Sequence, residues 1–302
     1  MKQRIIITGG TGLVGSYLTK RLKDKYDLII LTRRPYKYIN TATVKYIEWD
    51  GKTVIPEIID GSYAVVNLIG ENIGKKGWGD HQKKVIMKSR KDPANAISES
   101  IKICDNKPAV WIQASATGYY GQETGTVFDE NSPKAKNSFL ARVCDEWEKP
   151  IKLLNDDKIR KVIIRTGVIL APNASLWKQL NMSFNFRVAA IVGNGRQYLP
   201  WIHIDDEVNA VISILENNWT DVFNLVAPQG ATMRQIIEAI KTKRKSIVTI
   251  NIPKWFLYLL FGKEKTDEIV LTDQHIKPQH LLENGFVFKY PSINDAVNNL
   301  VD

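Results

Sequence analysis

The sequence predicts an α/β protein: a doubly wound parallel sheet with helices on both faces and a smaller C-terminal lobe. Three observations predict it. Ile5-Ile6-Ile7 is a β-branched run that passes directly into Gly9, Gly12 and Gly15 on the spacing G-x-x-G-x-x-G, after which Tyr17, Leu18, Lys20, Arg21 and Leu22 carry a helical pattern. Apolar strand-like runs then alternate with helical ones as far as Pro172. The chain of 302 residues, 44% hydrophobic and 25% charged, is long enough to bury a substantial core.

The glycine turn carries the chemistry. In such a strand-turn-helix the first glycine makes the tight turn, the second lets the main chain approach a pyrophosphate, and the third lets helix pack closely on strand; the phosphates rest on the helix N-terminus. Gly9, Thr11, Gly12, Leu13, Val14 and Gly15 are the expected contacts; glycines kept only for packing are the alternative. Asp27 to Thr32 reads as the second strand, and Arg33-Arg34 comes directly after it. An acidic residue at this distance binds the ribose hydroxyls of an unphosphorylated dinucleotide, whereas guanidinium groups offer fork-shaped, charge-assisted donors to a 2′-phosphate. Thr32, Arg33 and Arg34 therefore point to NADP, with two solvated loop arginines as the alternative.

Val44 to Trp49 reads as a short strand, and Tyr63 to Gly70 as an apolar strand ending in Asn67, Leu68, Ile69 and Gly70 at the sheet edge where doubly wound folds bind their ligand. Asn67 as a turn former is the alternative. Asp80 to Asp105 is helical, with Asp92-Pro93 expected as cap and first-turn proline of a second segment; among its cations Arg90 is placed to reach a phosphate. Ala109 to Ser115 is a buried strand delivering Ser115, Thr117, Tyr119 and Tyr120 to the same edge, although tyrosine pairs also simply pack. Phe139 to Leu154 then reads as an amphipathic helix and Lys161 to Val168 as a strand.

After Pro172 the alternation loosens. Trp177 to Val188 reads as helix, Gly193 to Gln197 as a glycine-rich basic loop, Asp205 to Glu216 as a capped helix, and Val222 to Leu225 as the strand that completes a sheet of seven. Trp255 to Phe261, the most apolar stretch, comes after Pro253 and ends at Gly262, as a short buried or lid-forming helix does. The expected division is residues 1–170 with 200–227 as a dinucleotide-binding domain, and residues 171–199 with 228–302 as a substrate lobe.

Charge and cysteine usage narrow the class. The formal charge is +10, but the cations are scattered, and the one dense run, Lys241 to Lys245, suits a solvated helix C-terminus. Cys104 and Cys144 are far apart and lack metal-ligand spacing, so neither a disulfide framework nor a metal site is indicated, and a reducing cytoplasm fits. The N-terminal apolar run is too short for a signal peptide, and no apolar run reaches membrane-spanning length. Neither nucleic acid nor a membrane is an expected partner.

Together these motifs resemble the short-chain dehydrogenase/reductase (SDR) superfamily in its extended, epimerase-like branch, over nearly the whole chain. Thr8 to Gly15 resembles the TGxxGxxG fingerprint of an NAD(P)-binding Rossmann fold, Asn67 to Gly70 the NxAG strand end, and Ala114 to Gly121 the SSxxVYG segment with one extra residue. Closer still is an atypical subgroup marked by Asn67 to Ile73, Trp147-Glu148, Arg165 to Val168, Leu271 to Pro278 and Gly285-Phe286. Its members commonly carry the name nucleoside-diphosphate-sugar epimerase, by analogy. The resemblance implies an NADP(H) cofactor and an unidentified, nucleotide-linked or sugar-like substrate near Arg196, Trp201 and His203, with capping or packing as the other reading of His203. It also implies a homodimer through the helices at 80–105 and 139–154. Read from the residues themselves, Arg90 and Arg165 are the candidate cations beside the cofactor and the phenols.

One departure is large. The superfamily ordinarily carries Tyr-x-x-x-Lys on the helix after the serine strand, where the tyrosine exchanges a proton with substrate. Here the pair falls by spacing at about Leu140 and Cys144, and no tyrosine lies between Tyr120 and Tyr198. Two readings are compatible with this: an oxidoreductase or epimerase whose acid/base groups are Ser115 with Tyr119 or Tyr120, or a non-catalytic NADP(H)-binding sensor that has lost the pair.

Overall fold

The structure, a computed structural model, describes residues 2–74 and 76–301. Seven parallel strands lie in the order Asp221–Leu225, Arg160–Thr166, Val110–Ala116, Ala64–Asn67, Arg4–Thr8, Asp27–Thr32, Val44–Glu48. The order reverses between Arg4–Thr8 and Ala64–Asn67, which opens a crevice above Thr8 and Asn67, paired in register. Ligands of doubly wound sheets bind at such a switch point.

The period-2 alternation of the strands sorts them into two cores. Ile5, Ile7, Val66, Ile112 and Ile164 face Leu18 and Leu22 of helix Leu13–Leu22 and Val208 and Val211 of helix Ile204–Glu216. Ile6, Val65, Trp111 and Ile163 face Ile97 and Ile101 of helix Asp80–Ile103 and Ile151 of helix Phe139–Leu153. Burial on both sides explains why Ile5 to Ile7 is uniformly apolar, each side chain contributing about 1.5–3 kcal/mol. The first core continues without a break into the C-terminal segments, where Ile191, Ile236 and Val297 join the same cluster.

Three expectations are corrected, and a fourth is resolved between its alternatives. Asp80–Ile103 is one continuous helix, with Pro93 inside it and buried rather than opening a second segment; packing of the Ile86 to Ile101 face outweighs the missing N–H. The expected strand over Lys161 to Val168 divides at Gly167, where a Cβ would lie 2.5 Å from the Pro200 carbonyl oxygen. There the chain leaves the main sheet, and Val168–Leu170 pairs with Trp201–His203. Helix Ser175–Asn185 stops short of Val188, because Val188–Val192 is a strand paired in parallel with Val248–Ile252. Helix Lys254–Phe261 forms as expected, yet only Leu257 on it is buried.

Candidate functional site

The glycine turn closes the crevice at the first strand's end. Gly9 adopts φ +71°, and a Cβ on it would meet the Leu68 carbonyl carbon at 2.8 Å. On Gly15 it would meet Gly9 O and Gly10 Cα at 2.4 Å. Only glycine permits this apposition of turn, helix and neighbouring strand end. Gly12 donates its N–H to Gly9 O at 2.9 Å and begins the helix with no side-chain cap and no acidic residue in its first turn. The first N–H groups, of Leu13 and Val14 among them, are thus left to an anion. Thr11 is half-buried beside them. At the second strand's end Thr32 Oγ1 accepts from Arg34 N at 3.4 Å, while the side chains of Arg33 and Arg34 are exposed and have no partner among the described residues.

The fourth strand's end is held from below. Asn67 is buried, accepting from Thr8 Oγ1 at 2.5 Å and from Ile69 N at 3.3 Å, and donating to Gln113 Oε1 at 2.9 Å. Its amide shapes the turn, and the backbone of Leu68, Ile69 and Gly70 forms the crevice wall. Arg90 leans on Gly70: a Cβ there would touch the guanidinium carbon at 3.1 Å. Arg90 donates to the carbonyls of Ile86 (3.2 Å) and Glu71 (3.0 Å) and lies 4.8 Å from the Trp147 ring centroid. Burial lowers its pKa to about 10, which leaves it cationic near neutral pH.

Where the superfamily keeps its proton-transfer pair, this chain has a closed network. Helix Phe139–Leu153 presents Leu140, Cys144 and Glu148 on one face by i,i+4 spacing. Gly118 lies against Leu140, and the Cys144 thiol donates to Ala116 O at 3.5 Å. Ser115, 3% exposed, donates to Glu148 Oε1 at 2.7 Å. Arg165 grips the same carboxylate through Nε (2.9 Å) and Nη2 (3.0 Å), and Lys152 adds a bond at 2.7 Å. Arg165 Nη1 donates to the Tyr120 hydroxyl at 2.9 Å, which in turn donates to Asn224 Oδ1 at 2.7 Å. Burial raises Tyr120 to about 12 against the opposing pull of Arg165 and Asn224, so the phenol stays protonated. Burial likewise pushes the Cys144 thiol to about 12. Tyr119 differs: its ring centroid sits 3.4 Å from the Arg165 guanidinium carbon and 5.4 Å from Lys152 Nζ, and among the described residues none hydrogen-bonds its hydroxyl.

Arg165 thus lies beside both phenols, as expected, but it is buried and its guanidinium is spent on Glu148. Trp201 and His203 are not brought to a ligand surface. Both are 1% exposed. His203 accepts from Asp205 N at 3.1 Å, capping helix Ile204–Glu216, and lies 3.9 Å from the Tyr290 ring centroid; burial lowers its pKa to about 4 and keeps it neutral. Arg196 does reach an opening: exposed, and with no side-chain partner among the described residues, it lines a cavity of about 980 Å³. Gln122 and Glu123 are shared with a second cavity of about 500 Å³, bounded by Gly118, Lys136, Leu140 and Gln274. Among the described residues no His, Cys, Asp and Glu cluster is arranged to hold a metal.

Glu148 is the residue whose role sequence reasoning missed. Its signal was present: a glutamate on the apolar face of an amphipathic helix, and an arginine within the apolar strand Val162 to Thr166, each requiring a partner.

Comparison with known proteins gives the family. A family model described as the NAD dependent epimerase/dehydratase family matches residues 5–225. The chain belongs to that family. A second model, a domain of unknown function (DUF1731), matches residues 252–300. Among family relatives, the chloroplastic SDR39U1 homolog of Arabidopsis thaliana is 32% identical, over 98% of this chain and 86% of its own length. The epimerase family protein Mb2239 of Mycobacterium bovis is also 32% identical, over 97% of this chain and 96% of its own. The crystal structure of the human epimerase family protein SDR39U1 with NADPH superposes with a TM-score of 0.88 at 25% identity, covering 99% of both chains. UDP-glucuronic acid 4-epimerase from Bacillus cereus shares the fold, with a TM-score of 0.78 at 15% identity over 99% of both chains.

Proposed function

We propose that this family member is an NADP(H)-binding protein whose proton-transfer pair has been converted into a structural ion-pair network, so that it serves as a dinucleotide-responsive sensor. The single observation that carries this is the closure of Ser115, Glu148, Arg165 and Tyr120 on one another in the place where substrate acid/base chemistry belongs. The dinucleotide lies across the switch point, its pyrophosphate on Gly9 to Gly15, its walls Leu68 to Gly70 with Arg90 behind them, and its 2′-phosphate at Thr32 to Arg34. The human relative's NADPH supports the phosphorylated form. Residues 1–170 with 200–227 hold it, and residues 171–199 with 228–302 shape the adjoining cavities. The buried free thiols of Cys104 and Cys144 suit a reducing, cytoplasmic setting.

Calorimetry with NADPH and NADH tests the cofactor, with tighter binding expected for NADPH. Arg33→Ala should weaken NADPH by about 1.5–3 kcal/mol, the value of a charge-assisted bond, and leave NADH nearly unchanged. Equal wild-type affinity for the two dinucleotides rejects the assignment.

The Tyr119 ring beside two cations, its hydroxyl without a partner among the described residues, and the cavity reached by Arg196 favour a second reading. In it the protein is an oxidoreductase or epimerase, Tyr119 moves the proton, and an anionic or nucleotide-linked substrate binds at Arg196. NADPH absorbance monitored with carbonyl and nucleotide-sugar substrates separates the two. Tight binding without turnover supports the sensor; turnover slowed by Tyr119→Phe and untouched by Tyr120→Phe establishes the enzyme.

A further inference from the structure

Helix Lys254–Phe261 divides into two faces at 3.6 residues per turn. On one, Leu257 is buried and its carbonyl accepts from Thr266 Oγ1 at 3.1 Å. Tyr258 and Lys254 both engage Asp267, at 2.9 and 3.2 Å. The platform is firm: buried Lys265 donates to the carbonyls of Gly74 (2.7 Å) and Lys76 (2.9 Å). The opposite arc consists of Trp255, Phe256, Leu259 and Leu260, which are 67, 38, 77 and 56% exposed. A contiguous aromatic and leucine face turned to solvent marks an interaction surface.

The surrounding charge identifies the occupant. From Lys241 to Lys263 the chain carries six cations and no carboxylate; Lys241 pairs with Glu238 and Lys254 with Asp267, while Lys245 and Lys263 are exposed. The next three acidic residues are all turned to protein groups: Glu264 pairs with Lys83, Asp267 with Lys254, and Glu268 caps helix Phe139–Leu153 through Phe139 N and Leu140 N at 2.8 Å. Lys76 and Lys263 remain exposed near the helix end. A second copy is a poor match, because it would bring two such acid-free, cationic segments together.

We propose that this face seats the protein on an anionic lipid bilayer. Trp255, Phe256, Leu259 and Leu260 enter the boundary between headgroups and acyl chains, and the flanking lysines meet lipid phosphates. No described helix is long and apolar enough to cross a membrane, so the contact is peripheral. It revises the expectation, drawn from the sequence, that no membrane is a partner.

Co-sedimentation of the full chain with vesicles tests this. Binding is expected to mixed phosphatidylcholine/phosphatidylglycerol vesicles, weakening as salt rises, and not to phosphatidylcholine alone. The Trp255→Ser/Leu259→Ser variant should partition about tenfold less or worse, and Lys263→Gln about fivefold less. Both substitute exposed side chains, so unchanged circular dichroism and melting temperature verify that the fold is intact. No binding by wild type, equal binding to neutral vesicles, or full binding by the double variant overturns the proposal. So does concentration-dependent dimerisation in sedimentation velocity that only the double variant loses, which assigns the face to a second copy.

Discussion

Glu148→Leu is expected to destabilise the fold by about 3–5 kcal/mol, the cost of leaving a buried guanidinium without its carboxylate. Arg165 is 3% exposed and Glu148 fully buried, so water cannot replace the lost partner. The substitution also strips Ser115 and Lys152 of their acceptor. Urea unfolding should show a lower midpoint at unchanged slope. Glu148→Leu/Arg165→Met should recover part of the loss, because a paired charge and its apolar replacement differ far less than a charge left alone. A single-variant cost below about 1 kcal/mol, the range of exposed pairs, would show that the network holds nothing in place. The pH dependence has a definite sign. Burial works to raise the Glu148 pKa, but the Arg165 bonds and charge, together with Lys152, outweigh it and hold the carboxyl below its ordinary 4.5. The ion pair's contribution is therefore present above that value and lost as pH falls through the lowered one, so acid should narrow the gap between wild type and variant.

The glycine turn at the switch point was readable because what it specifies is backbone geometry. Glycine spacing dictates where main chain meets phosphate, and Gly9 and Gly15 sit where any Cβ collides. The seven-stranded sheet was readable for a similar reason: strands buried on both faces are written as unbroken apolar runs such as Ile5 to Ile7. Side-chain partners separated by tens of residues were not. Ser115 reads as a free hydroxyl until helix Phe139–Leu153 brings Glu148 against it, and Arg165, correctly expected beside the phenols, gives no sign in sequence of the carboxylate that claims it. Trp201 and His203 look like pocket residues beside the Gly193 to Gln197 loop, yet pairing with Val168–Leu170 buries them. The strand Val248–Ile252 was lost because its residues are mostly exposed, which removes the alternation a half-buried strand shows. Pro93 misled because its local rule is sound and tertiary packing overrode it.

Glu207→Gln should stabilise the protein near neutral pH, an uncommon direction for a change in a buried core. Glu207 is 1% exposed; Oε1 accepts from Thr166 Oγ1 at 2.8 Å, and Oε2 has no partner among the described residues. Burial pushes its pKa from 4.5 up to about 8, against the small opposing effect of the Thr166 bond. The folded state thus binds this proton more tightly than the unfolded chain does. Stability from the group is fully present below pH 4.5 and is lost as pH rises towards the folded value of about 8. Near pH 7 the lost contribution is on the order of 3 kcal/mol, from about 2.5 units at 1.36 kcal/mol each. Glutamine keeps an acceptor for Thr166 and has no proton to lose. Urea unfolding of wild type and variant should diverge near pH 7 and converge near pH 4; a pH-independent difference would mean that Glu207 ionises in the folded state much as it does in water.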